Sequence, residues 1–154
     1  MNSFNNSAGT GGQNDNQKDE SCKIVMVHND GTLLEMMHIL LRSWLKNAQV
    51  LSLTDSKSTW QLITRANPDL LITDDIMPGL TGEQICLRLC IRKVTYPIIV
   101  LFAWEPTAQW VRECTDGGLN IHLLPAPFAN EDFRTLVEAC LKTPQGNGGK
   151  TDSK

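Results

Sequence analysis

Short, wholly apolar runs separated by segments of helical period set the tightest limit on how this chain folds. Ile24-Val25-Met26-Val27, Leu70-Leu71-Ile72 and Ile98-Ile99-Val100-Leu101-Phe102 are apolar at nearly every position. A strand with one face in water would alternate, so these runs read as strands buried on both faces. Val50–Leu53 and Ile121–Leu124 are weaker candidates of the same kind.

Between them lie segments whose apolar residues recur at helical spacing. A helix from about Thr32 to Lys46 carries Leu33, Met37, Leu40, Leu41 and Trp44 on one face. A second, with Ser56 as its cap, holds Trp60 and Ile63 and stops at Asn67-Pro68. A third turns Ile85, Cys86, Leu89 and Cys90 inward. In the fourth, Pro106 suits the N-terminus, Val111 and Cys114 face inward, and Gly117-Gly118 ends the helix. The fifth has Asn130 as cap, Glu131 and Asp132 in its first turn, and a stripe of Phe133, Leu136, Val137, Cys140 and Leu141. Five βα units predict an α/β fold: an open, doubly wound, five-stranded parallel sheet with helices on both faces.

The 154 residues suffice for one core, and the compositional breaks divide them. Residues 1–21, rich in Asn, Gln, Gly and Ser, are expected to be a disordered arm. Residues 23–142 form the folded unit, and 143–154, with Pro-Gln-Gly-Asn-Gly-Gly, a disordered tail. A stand-alone domain is the expectation. The 14 Lys plus Arg against 17 Asp plus Glu, a net charge of −3, argue against a nucleic-acid surface or a polybasic membrane patch. No apolar run approaches the roughly 18 residues of a spanning helix, and no signal peptide is evident, so a soluble cytoplasmic protein is expected. The five cysteines show no CxxC pair and no clustered His, which sets aside zinc and a disulfide framework; Cys86 and Cys90 read as core.

In open parallel sheets, sites form beyond the carboxyl ends of the strands. Those ends bring His28, Asn29 and Asp30, then Asp74 and Asp75, then Phe102 and Ala103, then Pro125-Ala126-Pro127-Phe128. The stretch Pro68-Asp69-Leu70-Leu71-Ile72-Thr73-Asp74-Asp75-Ile76-Met77-Pro78-Gly79, with Gly82 after it, closely resembles the third strand and loop of response-regulator receiver domains. The likeness extends over about Lys23 to Lys142. It implies a flavodoxin-like sheet of order 2-1-3-4-5, and a non-enzymatic module of two-component phosphorelay signalling. Its partners would be proteins: a histidine kinase, a phosphotransfer protein or a downstream effector, met through the surface around the fourth helix, fifth strand and fifth helix.

By position, the resemblance makes Asp74 the candidate phosphoacceptor. The chemistry requires a carboxylate nucleophile with a cation to offset the converging negative charge. A metal would be held by Asp74, Asn29, Asp30 and the Ile76 carbonyl. Here the sequence departs from the family. His28 and Asn29 stand where a pair of acids holds Mg²⁺, and imidazole suits transition metals better than this hard ion. Phe102 replaces a Ser or Thr that contacts the phosphoryl group, and Ala126 replaces a Lys that pairs with it. Leu123 falls nearest the aromatic switch residue, and Ala126-Pro127 corresponds to a cis Lys-Pro bond.

The implied reading is a receiver module with a degenerate pocket, a weakened Mg²⁺ site and phosphorylation-independent or only weakly phosphorylated behaviour. The alternative is a flavin binder or a hydrolase using Asp74 and His28 on the same fold. It has little support, since neither a GxGxxG or Walker loop nor a serine elbow is present. His28 is expected to fill the retired acid pocket. Trp104 and Trp110 are expected either to anchor a partner or to pack together.

Overall fold

In this computed structural model, which describes residues 21–54, 56–103 and 108–142, each strand is followed by a helix that returns the chain across the sheet. The elements run β1 (Lys23–Val27), α1 (Gly31–Trp44), β2 (Gln49–Leu53), α2 (Ser56–Ala66), β3 (Leu70–Asp74), α3 (Gly82–Ile91), β4 (Ile98–Phe102), α4 (Ala108–Asp116), β5 (Ile121–Pro125) and α5 (Asn130–Lys142). The strands are parallel in the order β2-β1-β3-β4-β5. The flavodoxin-like fold predicted from the sequence is therefore present. The expected arm at 1–21 falls almost wholly outside the described residues, as do the tail and the expectations placed on Trp104 and Pro106.

Because successive side chains alternate across a strand, the apolar runs supply two cores at once. Val25, Leu71, Ile98 and Val100 pack with Ile63 of α2, Ile85 and Leu89 of α3 and Trp110 of α4. Ile24, Met26, Ile72, Ile99 and Leu101 pack on the other face with Met37 and Leu41 of α1 and Phe133 and Val137 of α5. Fully burying each such side chain contributes about 1.5–3 kcal/mol.

Helix ends follow local chemistry. Asp30 caps α1, its carboxylate accepting from the N–H groups of Thr32 and Leu33. Thr81 and Gln84 form a reciprocal capping box on α3. Both α3 and α4 end in paired backbone bonds that require a left-handed residue. Lys93 N–H reaches Cys90 and Val94 N–H reaches Leu89; likewise Gly118 reaches Thr115 and Leu119 reaches Cys114. Lys93 has φ 54° and Gly118 φ 98°.

Four expectations change. Asn130 lies inside α5, whose first carbonyl is that of Ala129, bonded to Phe133 N–H. Ser56 is likewise the first residue of α2 rather than its cap. Leu34, unassigned in the α1 stripe, is buried, while Leu33, Leu40 and Trp44 are only partly covered. Trp110 is 4% exposed in the α2–α3–α4 core, so it is not an exposed anchor for a partner. Its helix turns it into the cluster that holds Ile85, Leu89, Ile98 and Val100, where a large ring excludes more water than it could at the surface.

Candidate functional site

The carboxyl edge of the sheet brings His28 and Asp74 together. Val27 of β1 pairs with Thr73 of β3, so the next residue of each chain emerges side by side. Both follow the alternation of Met26 and Ile72 and therefore lie toward α1 and α5. His28 Nε2 is 3.4 Å from Asp74 Oδ2. His28 is 8% exposed.

The tautomer follows from the other ring nitrogen. His28 Nδ1 accepts the backbone N–H of Asp30 at 2.9 Å, so a neutral ring carries its proton on Nε2, facing the Asp74 carboxylate. Burial raises the Asp74 carboxyl above the ordinary aspartate range, opposed by His28 and by the backbone N–H groups of Ile76 and Asp75. Asp75, next along the chain, is raised by burial first, then by Asp74 and Glu83.

The loop after β3 is held by backbone packing. Gly82 N–H donates to the Asp75 carbonyl at 2.9 Å. A Cβ at Gly82 would lie 2.6 Å from the Asp74 carbonyl oxygen and 3.0 Å from Asp75 Cα. Only glycine permits that approach. Gly79, in the same loop, has φ 88°.

The remaining predicted residues take separate places. Asn29 is exposed, and the Asp30 carboxylate is engaged at the α1 N-terminus through Oδ1, 2.9 Å from Thr32 N. Ile76 is 62% exposed. Phe102, half-buried at the end of β4, accepts the Ala126 N–H on its carbonyl at 2.7 Å. Ala126 is half-buried too, and the Ala126–Pro127 bond is cis. Leu123 pairs with Val100 across β4 and β5 and is 39% exposed. The sequence reading missed the direct His28–Asp74 contact and the backbone approach of Gly82; strand register was the signal for the first.

The donor set does not fit a tightly held Mg²⁺. That ion prefers oxygen ligands, whereas an imidazole nitrogen faces Asp74 and Asp30 Oδ1 is engaged as a cap. Among the described residues, no three His, Cys, Asp or Glu side chains are grouped to hold a metal ion. Nor is any helix among them long and apolar enough to cross a membrane.

A family model described as the response regulator receiver domain matches residues 24–138. "Response regulator MprA" of Mycolicibacterium vanbaalenii is 30% identical over 132 residues, covering 84% of this chain and 55% of the relative. The protein of that name from Mycobacterium ulcerans is 30% identical over 123 residues, covering 79% and 51%. The chain thus spans about half the length of the curated relatives it matches. A response regulator receiver domain protein from Clostridium thermocellum shares the fold at 20% identity and a TM-score of 0.66, over 78% of this chain and 94% of that one. The Vibrio cholerae chemotaxis protein CheY4 does so at 20% identity and 0.66, over 79% and 99%. With five parallel strands in this order and a matching sequence model over most of its length, the chain belongs to the response regulator receiver domain family.

Proposed function

We propose that this chain is a receiver module that signals by binding protein partners without depending on a stable phosphoryl group at Asp74. The observation that carries the reading is the His28–Asp74 contact at 3.4 Å. An imidazole nitrogen faces the carboxylate there, in the position where the family uses metal-holding acids. Ala126 and Phe102 supply neither a cation nor a hydroxyl to a phosphoryl group. Charge-assisted hydrogen bonds of that kind contribute about 1.5–3 kcal/mol each, so losing both weakens transition state and product alike.

The surface around α4, β5 and α5, where Leu123 is exposed, is the partner face in this reading. Its occupant is a kinase, a phosphotransfer protein or a downstream effector. Asp74 keeps the position of a phosphoacceptor at the end of β3, half-buried beside the Asp75 and Ile76 N–H groups. That favours, as a second reading, slow or weak phosphorylation of the same residue.

A Mg²⁺ titration followed by amide NMR shifts of the β3–α3 loop tests the proposal. The expected result is no saturable change below millimolar Mg²⁺. Sub-millimolar saturation that is lost in Asp74→Ala would overturn it.

A further inference from the structure

Cys86 and Cys90, one turn apart on α3, share a core cluster with Cys114 of α4, on the sheet face opposite the His28–Asp74 site. Cys86 and Cys114 are buried, at 0% and 1% exposure, while Cys90 is half-buried. Cys90 Sγ lies 3.9 Å from the carbonyl oxygen of Cys114, so the side chain of one cysteine reaches the backbone of the other. The sulfur occupies space that only a glycine leaves open: a Cβ at Gly117 would come within 2.6 Å of it. Cys90 also lines a surface cavity of about 190 Å³ together with Lys93, Gly117 and Gly118.

We propose that Cys90 and Cys114 form a dithiol modification site, at which a hydroperoxide entering the cavity oxidises Cys90 and Cys114 then closes a disulfide between α3 and α4. Access divides the roles. Cys90 meets the cavity, and Lys93 beside it supplies a hydrogen-bond donor to a peroxide oxygen. Cys114 is closed to solvent but adjoins Cys90. Burial, and after it the neighbouring Cys90, push the Cys114 thiol up to about 11, and burial raises Cys86 as well. Of the three, Cys90 alone lines the cavity, so it is the thiol that a peroxide reaches first.

In the first step the Cys90 sulfur, as thiolate, attacks one peroxide oxygen and the O–O bond breaks. The leaving oxygen takes a proton and departs as water or an alcohol, and Cys90 becomes a sulfenic acid. In the second, the Cys114 sulfur attacks Cys90 Sγ, the S–O bond breaks, and the departing hydroxyl leaves as water with the Cys114 proton. Two thiols are oxidised by two electrons and one hydroperoxide is reduced.

The test treats the purified protein with hydrogen peroxide and reads intact mass, followed by non-reducing peptide mapping. The expected result is a loss of about 2 Da, one hydrogen from each thiol, reversed by dithiothreitol, with residues 90 and 114 linked. The loss should persist in Cys86→Ser and vanish in Cys90→Ser and Cys114→Ser, with Cys114→Ser trapping a sulfenic acid at Cys90. Oxygen additions without the loss, linkage through Cys86, or dimers as the sole disulfide product would overturn the proposal. The peptide map of the unsubstituted protein decides the matter even if a variant fails to fold.

Discussion

His28 Nε2 stands 3.4 Å from Asp74 Oδ2, with the opposite ring nitrogen accepting the Asp30 N–H. One backbone bond thereby fixes which face of the imidazole meets the carboxylate. Asp30 in turn caps α1, so hydrogen bonds tie the start of that helix to the ring, and the ring's other nitrogen faces the candidate acceptor. His28→Gln keeps a side chain of similar size and removes the ring's capacity for charge. Because His28 opposes the effect of burial on Asp74, the Asp74 carboxyl should titrate at higher pH in that variant. Carboxyl-carbon NMR checks this; an unchanged or lower midpoint contradicts it.

The same carboxylate gives a pH-dependent stability. Burial raises the folded Asp74 value above its unfolded one, so the native state binds the proton more tightly in the interval between the two. Stability is then greatest below the unfolded value, near 4, and declines as pH rises through the folded value. Asp74→Asn removes the charge whose burial is unfavourable. Its melting temperature should exceed that of the parent at pH 7, and the difference should shrink toward about pH 3.5, below the ordinary aspartate value. Asp75, raised by burial and then by Asp74, should titrate lower in this variant.

Gly82→Ala places a methyl group 2.6 Å from the Asp74 carbonyl oxygen. Backbone cannot swing aside as a side chain can, so the β3–α3 loop must shift. A loss of about 1–3 kcal/mol in urea unfolding is expected, with amide shift changes concentrated at Asp74 and Asp75.

The two helix ends make a matched pair. Lys93 carries a conformational cost at φ 54° that a glycine would avoid, so Lys93→Gly should stabilise by up to about 1 kcal/mol. Gly118, at φ 98°, has nothing within 4 Å of an added Cβ. Gly118→Ala should therefore destabilise by about 1–2 kcal/mol from backbone conformation alone. Denaturant midpoints of the two variants moving in the same direction would refute this account of the caps.

Much of the fold was legible because a doubly buried strand leaves an unbroken apolar run. Ile98–Phe102 matches β4 residue for residue. Helix starts were less legible, since a capping residue and a first-turn residue share the same small polar chemistry, as Asn130 illustrates. The anchor reading of Trp110 failed because a ring next to a loop shows no sign of its burial until α4 is packed into the core. At the site, the resemblance of the β3 segment to receiver domains singled out Asp74 and, by position, His28, Phe102 and Ala126. It could not supply the His28–Asp74 contact, which depends on how β1 pairs with β3, nor the exclusion of any side chain at Gly82, which depends on two segments meeting through backbone. The meeting of Cys90 with Cys114 likewise arises only from the packing of α3 on α4.

The most direct measurement of the central claim is the intact mass of the protein after incubation with a small-molecule phosphodonor and Mg²⁺, beside Asp74→Ala and an ordinary receiver domain. The account predicts that the ordinary receiver gains a phosphoryl group while this protein and its Asp74→Ala variant gain none. A stable single adduct on this protein, absent from Asp74→Ala, would contradict it and make Asp74 a working phosphoacceptor despite its imidazole partner.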